Sequence, residues 1–274
     1  MWDDPELYDL ENADDPAFDL GFWTALVRER TPRRVLDLGS GTGRLTLPLA
    51  RLGIASEIVA LDRSAPFVER LRSRLAETGV DGVTVVEGDM RDPRVDGEFD
   101  LVMVSFNSLA YLITREDRLA CLRAARSLLG TAGVLAFDLV APRYDFIAEA
   151  TGPCPPLRTD ADHPAPDLGV TRFLRSFTDT YDASTQTLHS TNRYEIHRAD
   201  GRVEHRIADL DWHIYFPEEL ELLLEAADLR VVERYGDYER GPWTPQSRRY
   251  LWLTQPRYAV SPPRRDSSVG RAHD

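Results

Sequence analysis

Residues 35–45 read VLDLGSGTGRL, an apolar run that breaks into three alternate glycines, Gly39, Gly41 and Gly43, two residues after the acidic Asp37. Such a run is a buried strand feeding a helix, and glycines at the turn leave no Cβ between a ligand and the backbone N–H groups of the helix start. A dinucleotide pyrophosphate is the first ligand to weigh. Its turn carries Gly-x-Gly-x-x-Gly, whereas here the third glycine arrives one residue early, and a carboxylate at Asp37 repels an anion. The turn suits a cationic ligand with an amino group.

S-adenosylmethionine (SAM) has that character, because it carries both a sulfonium and an α-ammonium. Residues 57–61 (EIVAL) form a second apolar strand ending at Asp62, with Arg63 beside it, where a carboxylate takes ribose hydroxyls. Residues 83–86 form a third strand ending in Glu87-Gly88-Asp89-Met90, so that Asp89 accepts from an adenine amino group while Met90 packs on the ring. A strand-end acid taken singly is what any helix cap or turn supplies. Their order and spacing carry the argument.

Through DLGSGTG, the Asp62 strand end, EGDM and FDLVMVSFNSLAYL, the chain resembles the class I SAM-dependent methyltransferases over about residues 8–253. The resemblance implies an α/β fold: a seven-stranded, doubly wound, mostly parallel Rossmann-like sheet with the cofactor over the strand C-termini. It also implies that Tyr8 closes over SAM. The expected cofactor set is Tyr8, Asp37, Gly39, Ser40, Gly41, Gly43, Asp62, Arg63, Gly88, Asp89, Met90 and Ser105.

Forty-six acidic against 33 basic residues leave a formal charge of −13, which repels phosphate backbones and argues against a nucleic-acid substrate. Only Cys121 and Cys154 occur, without Cys-x-x-Cys spacing, so neither a structural zinc nor a disulfide framework is expected. No basic-apolar leader opens the chain and no apolar run approaches bilayer length, so a cytoplasmic protein away from membranes is the expectation.

Asp15-Pro16 opens a helix through about Arg30, and residues 1–30 read as a lid. Helices over 43–52, 66–77 and 115–129 and strands over 99–104 and 134–139 complete a βαβ rhythm, so residues 31–150 with 217–255 form the SAM-binding core. Residues 151–169 read as a Pro- and Asp-rich connection. Three strands follow, over 170–181, 187–197 and 202–216, giving an antiparallel cap inserted between strands five and six, within residues 151–216. Residues 248–254 form an antiparallel strand expected at the sheet edge, and 256–274 read as a disordered tail. An exposed cap sheet makes a symmetric homodimer an expectation.

Four histidines, His189, His197, His205 and His213, recur every eight residues, but strand alternation spreads them along a half-solvated ribbon, so no metal is expected. In the last cap strand Leu210, Trp212, Ile214 and Phe216 share one face. Asp209, Asp211, His213 and Tyr215 then share the other, which either roofs an acceptor pocket or faces water. Methyl transfer is an in-line displacement that gains most of its acceleration from orientation. An amine needs only to become neutral, whereas a hydroxyl needs a positioned base such as His213. The catalytic candidates are His213, Tyr111 and Asn107, the last two near Ser105 where acceptor and methyl meet.

The inserted cap resembles the sugar N-methyltransferases of this family, with Tyr8-Asp9 matching their early Tyr-Asp and Arg249 falling where they carry a phosphate-binding arginine. Their second N-terminal aromatic is replaced here around Glu11-Asn12, and their tryptophan pair after strand five is absent from Phe137-Asp138-Leu139. Asp211, Tyr215 and Arg249 are the substrate-binding candidates. The expected function is SAM-dependent N-methylation of a small polar metabolite. O-methylation with His213 as base, and a non-enzymatic SAM-binding regulator, are the alternatives.

Overall fold

The computed structural model describes residues 4–13 and 18–257. The chain opens with α1 (Pro5–Glu11) and α2 (Leu20–Arg30), then alternates β1 (Arg34–Leu38), α3 (Thr46–Arg51), β2 (Glu57–Asp62), α4 (Ala65–Thr78), β3 (Val83–Glu87), β4 (Phe99–Val104), α5 (Arg115–Leu128) and β5 (Leu129–Val140). Local chemistry sets the helix boundaries. Thr114 caps α5 by accepting from the Asp117 N–H at 3.1 Å, and α4 stops at Gly79, whose φ of +62° is left-handed. The Asp15-Pro16 helix start lies outside the described residues.

Five parallel strands and two later ones, β10 (Leu229–Tyr235) and β11 (Arg249–Pro256), form a seven-stranded sheet in the order β10-β11-β5-β4-β1-β2-β3. From β1 the chain winds outward through β2 and β3, then returns to β4 on the other side of β1. That reversal opens a crevice at the strand C-termini, the place where open α/β sheets hold ligands. The sheet is buried on both faces. Val134, Ala136, Leu251 and Leu253 pack toward α2, whereas Leu135, Phe137, Tyr250 and Trp252 join the core on the α5 side.

One sheet expectation is corrected. β11 is antiparallel but lies between β10 and β5, and β10 is the edge. The buried run Tyr250-Leu251-Trp252-Leu253-Thr254 explains the choice, since only an inner strand covers both of its faces.

Between β5 and α7 (Pro217–Ala226) stand α6 (Tyr144–Thr151) and a separate antiparallel sheet of four strands: β6 (Arg158–Ala165), β7 (Val170–Asp182), β8 (Thr187–Arg198) and β9 (Val203–His213). The sequence reading has three strands there and misses both β6 and α6. β6 reads RTDADHPA, too polar to show alternation, and its Pro164 is tolerated because β6 is an edge with irregular pairing to β7. On β8 the alternation is as expected, with Leu188, Ser190, Asn192, Tyr194 and Ile196 buried. The expected tail lies outside the described residues from 258 onward. Among the described residues no helix is long and apolar enough to cross a membrane.

Candidate active site

A cavity sits over the ends of β1, β2 and β4, with Gly39, Ser40 and Gly41 in its wall. The Gly39 and Ser40 N–H groups donate to the Leu61 carbonyl at 2.8 and 3.0 Å, which fastens the turn to β2. Gly39 has a φ of +79°, and a Cβ there would come within 3.1 Å of Ser108 Oγ and 3.3 Å of Met90 Cε. Glycine thus satisfies both the backbone conformation and the close approach. Gly43 does something else. A Cβ on it would lie 2.3 Å from Leu71 Cδ1, so it lets the turn pack on α4 and does not border this cavity, contrary to its expected place in the cofactor set.

Asp37 is 1 % exposed; its Oδ2 accepts from the Thr46 hydroxyl at 2.7 Å, and its Oδ1 has no hydrogen-bond partner. Burial pushes this carboxyl up to about 6. Asp62 accepts from the Gly41 N–H at 2.8 Å and the Ser64 N–H at 2.9 Å, yet burial still raises its pKa. Asp89 is more open and takes Arg91 on both oxygens, at 2.9 and 2.5 Å, which holds its carboxyl below the usual range. Arg63, Gly88, Met90 and Ser105 also border the cavity. Tyr8 reaches in from α1, its ring centroid 5.2 Å from that of Phe67, and burial pushes its hydroxyl up to about 12.

The segment after β4 bends sharply. Phe106 and Asn107 are consecutive non-glycine residues at φ +56° and +62°, a conformation that costs about 1–3 kcal/mol each and persists only where neighbours enforce it. Here the neighbours are identifiable. The Phe106 N–H donates to Asp138 Oδ1 at 2.6 Å, the Val140 N–H donates to Asn107 Oδ1 at 3.0 Å, and Ser108 Oγ donates to the Ser105 carbonyl at 2.7 Å. Ser105, Phe106, Ser108 and Tyr111 line the cavity as a result. Asn107, expected among the reacting groups, instead spends its side-chain oxygen on β5 and is absent from the cavity wall.

The remaining candidates stand elsewhere. Arg249 lies 3.4 Å from Asp138 Oδ2, which also accepts from the Tyr238 hydroxyl at 3.0 Å, and its guanidinium covers the Phe18 and Tyr238 rings. It braces the loop through Asp138 and does not border the cavity, so the phosphate-binding expectation is revised. Asp211 faces out, with one oxygen 2.7 Å from His189 Nδ1. His213 is 2 % exposed, with Nε2 2.9 Å from Glu219 Oε1 and Nδ1 without a partner, and the Tyr215 hydroxyl donates to the Leu109 carbonyl at 3.1 Å. The expected shared stripe dissolves because β9 ends at His213, after which the chain turns toward α7 and alternation no longer applies. None of these three borders the cavity.

Several wall residues were not anticipated, Arg44 and Phe67 among them. Arg44, held by Asp19 at 2.5 and 2.8 Å with its guanidinium 4.5 Å from the Phe106 ring centroid, follows the last glycine of the motif; Phe67 sits in the first turn of α4. The signal for Arg44 was its place directly after the glycines. Its partner Asp19 is brought in only by the fold. Among the described residues no three His, Cys, Asp or Glu side chains gather as a metal site.

Residues 35–133 match the model of a family described as a methyltransferase domain. The chain is 30% identical over 251 residues to the cypemycin N-terminal methyltransferase of Streptomyces sp, covering 90% of this chain and 93% of that protein. The chain belongs to the SAM-dependent methyltransferases. Solved structures of this methyltransferase fold agree. A SAM-dependent methyltransferase from Clostridium acetobutylicum ATCC 824 superposes with a TM-score of 0.76 at 18% identity, covering 91% of this chain and 96% of its own. The sugar N-methyltransferase KedS8 from Streptoalloteichus sp ATCC 53650 gives 0.69 at 22% identity, covering 92% of each. The residues present fit SAM: the unpartnered Asp37 Oδ1 and the unpartnered Ser40 Oγ, both buried at the cavity, are polar atoms that need a bound polar group.

Proposed function

We propose that this methyltransferase acts on a nitrogen of a small polar metabolite. Asp37 would hold the ammonium of SAM, Asp62 the ribose hydroxyls, Asp89 and Met90 the adenine, with Tyr8 and Arg44 at the wall near the glycine turn. When bound, SAM supplies an electrophilic methyl group on a sulfonium and leaves as a neutral thioether. The chain's own work is to bind, orient and exclude water around that methyl. Tyr8, Tyr111, Phe67, Phe106 and Leu112 supply the aromatic and apolar part of the cavity wall, against which an acceptor would be oriented.

The observation that carries the nitrogen reading is the position of His213. Oxygen methylation asks for a base beside the acceptor. The one histidine expected in that role is sealed against Glu219, outside the cavity. The similarity to a cypemycin N-terminal methyltransferase supports the same side, since that name denotes an amine acceptor. The test is to incubate the protein with labelled SAM and matched pairs of amine and hydroxyl acceptors, amino sugars and short peptides among them. Label on nitrogen supports the assignment; dominant label on oxygen overturns it.

A further inference from the structure

On one side the cap ends in a long, regular strand edge. In the order β6-β7-β8-β9 the last strand has β8 as its neighbour on one flank and no strand on the other, and it pairs with β8 from Val203 to His213 without a register shift. The ladder fixes which main-chain groups face outward. At the two ends of the β8–β9 pair the Arg198 N–H donates to the Arg202 carbonyl at 2.8 Å and the Ile214 N–H to the Gln186 carbonyl at 2.9 Å. Antiparallel strands alternate between bonded and non-bonded positions, so Glu204, Arg206, Ala208, Leu210 and Trp212 turn their N–H and C=O groups toward β8. His205, Ile207, Asp209 and Asp211 turn theirs away, and among the described residues no hydrogen bond reaches those outward groups.

The other sheet edges are protected. β6 carries Pro164 and two breaks in its pairing, β10 has a break between Val231 and Glu233, and β3 is five residues long. β9 reads VEHRIADLDWH, with no proline, glycine or lysine to blunt it. An edge of this length and regularity is a template for another strand.

The side chains say which strand fits. Val203, His205, Ile207, Asp209 and Asp211 are all exposed on the outer face, Ile207 at 70 % and Val203 at 47 %. If β9 meets a copy of itself antiparallel with Ile207 on the twofold axis, Ile207 faces Ile207 and each His205 faces Asp209 of the second copy. Both members of every such pair then present outward main-chain groups, as the ladder requires. Shifting the axis to Ala208 sets Ile207 against Asp209, and shifting it to Asp209 sets that carboxylate against itself. Apolar and opposite-charge pairs stabilise facing strands, whereas like charges destabilise them, so the register centred on Ile207 is the favoured one. Its groups are available. Asp209 Oδ1 accepts from the Thr191 hydroxyl at 2.8 Å, which leaves Oδ2 for this contact, and among the described residues the His205 ring makes no hydrogen bond.

We propose that β9 pairs antiparallel with β9 of a second copy of this chain across a twofold axis at Ile207, joining two caps into one continuous sheet. Isologous pairing of this kind closes at a dimer. One strand from each copy makes a contact toward the small end of specific interfaces, so a dissociation constant of about 10 μM is expected. No β9 residue borders the cofactor cavity, which makes cofactor affinity an internal control.

The test is sedimentation velocity of the full chain from about 1 to about 200 μM, with amide hydrogen exchange followed at both ends of that range. The mass rises from that of one chain toward that of two, and the amides of His205, Ile207 and Asp209 gain protection as it does. Ile207→Lys brings two ammonium groups together on the axis and weakens the dimer by about tenfold or more, while S-adenosylhomocysteine affinity stays within about twofold of the parent. His205→Asp weakens it too, and His205→Asp combined with Asp209→His restores the parent constant to within about threefold, because the swap rebuilds the same facing pairs. A chain that stays monomeric throughout, a dimer indifferent to Ile207→Lys, or a double swap that restores nothing overturns the proposal. Full protection of those amides in the monomer at about 1 μM also overturns it, since the edge would then be covered from within the chain.

Discussion

Replacing Asp37 by Asn separates what the cofactor gains from this residue from what the empty protein loses by holding it. Asp37 is almost fully buried, with one oxygen on Thr46 and the other unpartnered. A carboxyl moved from its ordinary 3.8 to about 6 carries roughly 3 kcal/mol of penalty for ionising at pH 7 in the empty protein. Asparagine removes that penalty but leaves a buried amide N–H₂ short of acceptors, which costs about 1–3 kcal/mol. The variant without cofactor should therefore be as stable as the parent, or more stable by up to about 2 kcal/mol. Binding moves the other way if Asp37 pairs with the cofactor ammonium as proposed, because breaking such a buried ion pair costs about 3–5 kcal/mol. S-adenosylhomocysteine affinity should drop by about 10²- to 5 × 10³-fold. Denaturant unfolding and calorimetry measure the two quantities. A variant that binds within tenfold of the parent, or loses more than about 2 kcal/mol of stability, refutes the reasoning.

The same carboxyl predicts a pH dependence. Its folded pKa is raised, so its contribution to the stability of the empty protein is fully present below about 3.8 and is lost as pH rises through about 6. The cofactor needs the ionised form, so S-adenosylhomocysteine should bind about tenfold more weakly at pH 5 than at pH 7.5, and a flat profile by calorimetry would contradict this. His213→Ala should leave kcat per folded molecule within about fivefold while lowering stability by about 1–3 kcal/mol, since it strips Glu219 of a partner in a closed contact; a loss of several orders of magnitude in rate would restore His213 as a base. Asp138→Asn should loosen the left-handed turn at Phe106 and Asn107, lowering kcat about 10- to 100-fold while S-adenosylhomocysteine affinity changes less than threefold. Steady-state kinetics paired with calorimetry check the split, and an unchanged kcat would show that the turn holds without Asp138.

The chain's local patterns determined the parallel core and the cavity at its strand ends. Alternate glycines and strand-end acids are short-range signals: Gly39, Gly41, Asp37, Asp62 and Asp89 stand at the ends of strands whose apolar runs already declare them buried, and a parallel sheet brings such ends to one edge. Tertiary structure alone decided the rest. β6 carries no alternation because it is an edge, β11 lies inside the sheet because both of its faces find cover, and His213 leaves the expected stripe because its strand ends there. Arg249 and Asn107 look like ligand-facing residues in sequence, yet Asp138 and Val140, over thirty residues from Asn107 along the chain, claim them for holding a turn. Side chains that work through long-range partners leave no periodic trace. Glu11 meets Arg175 only when α1 folds against the cap, a contact that nothing local in the sequence announces.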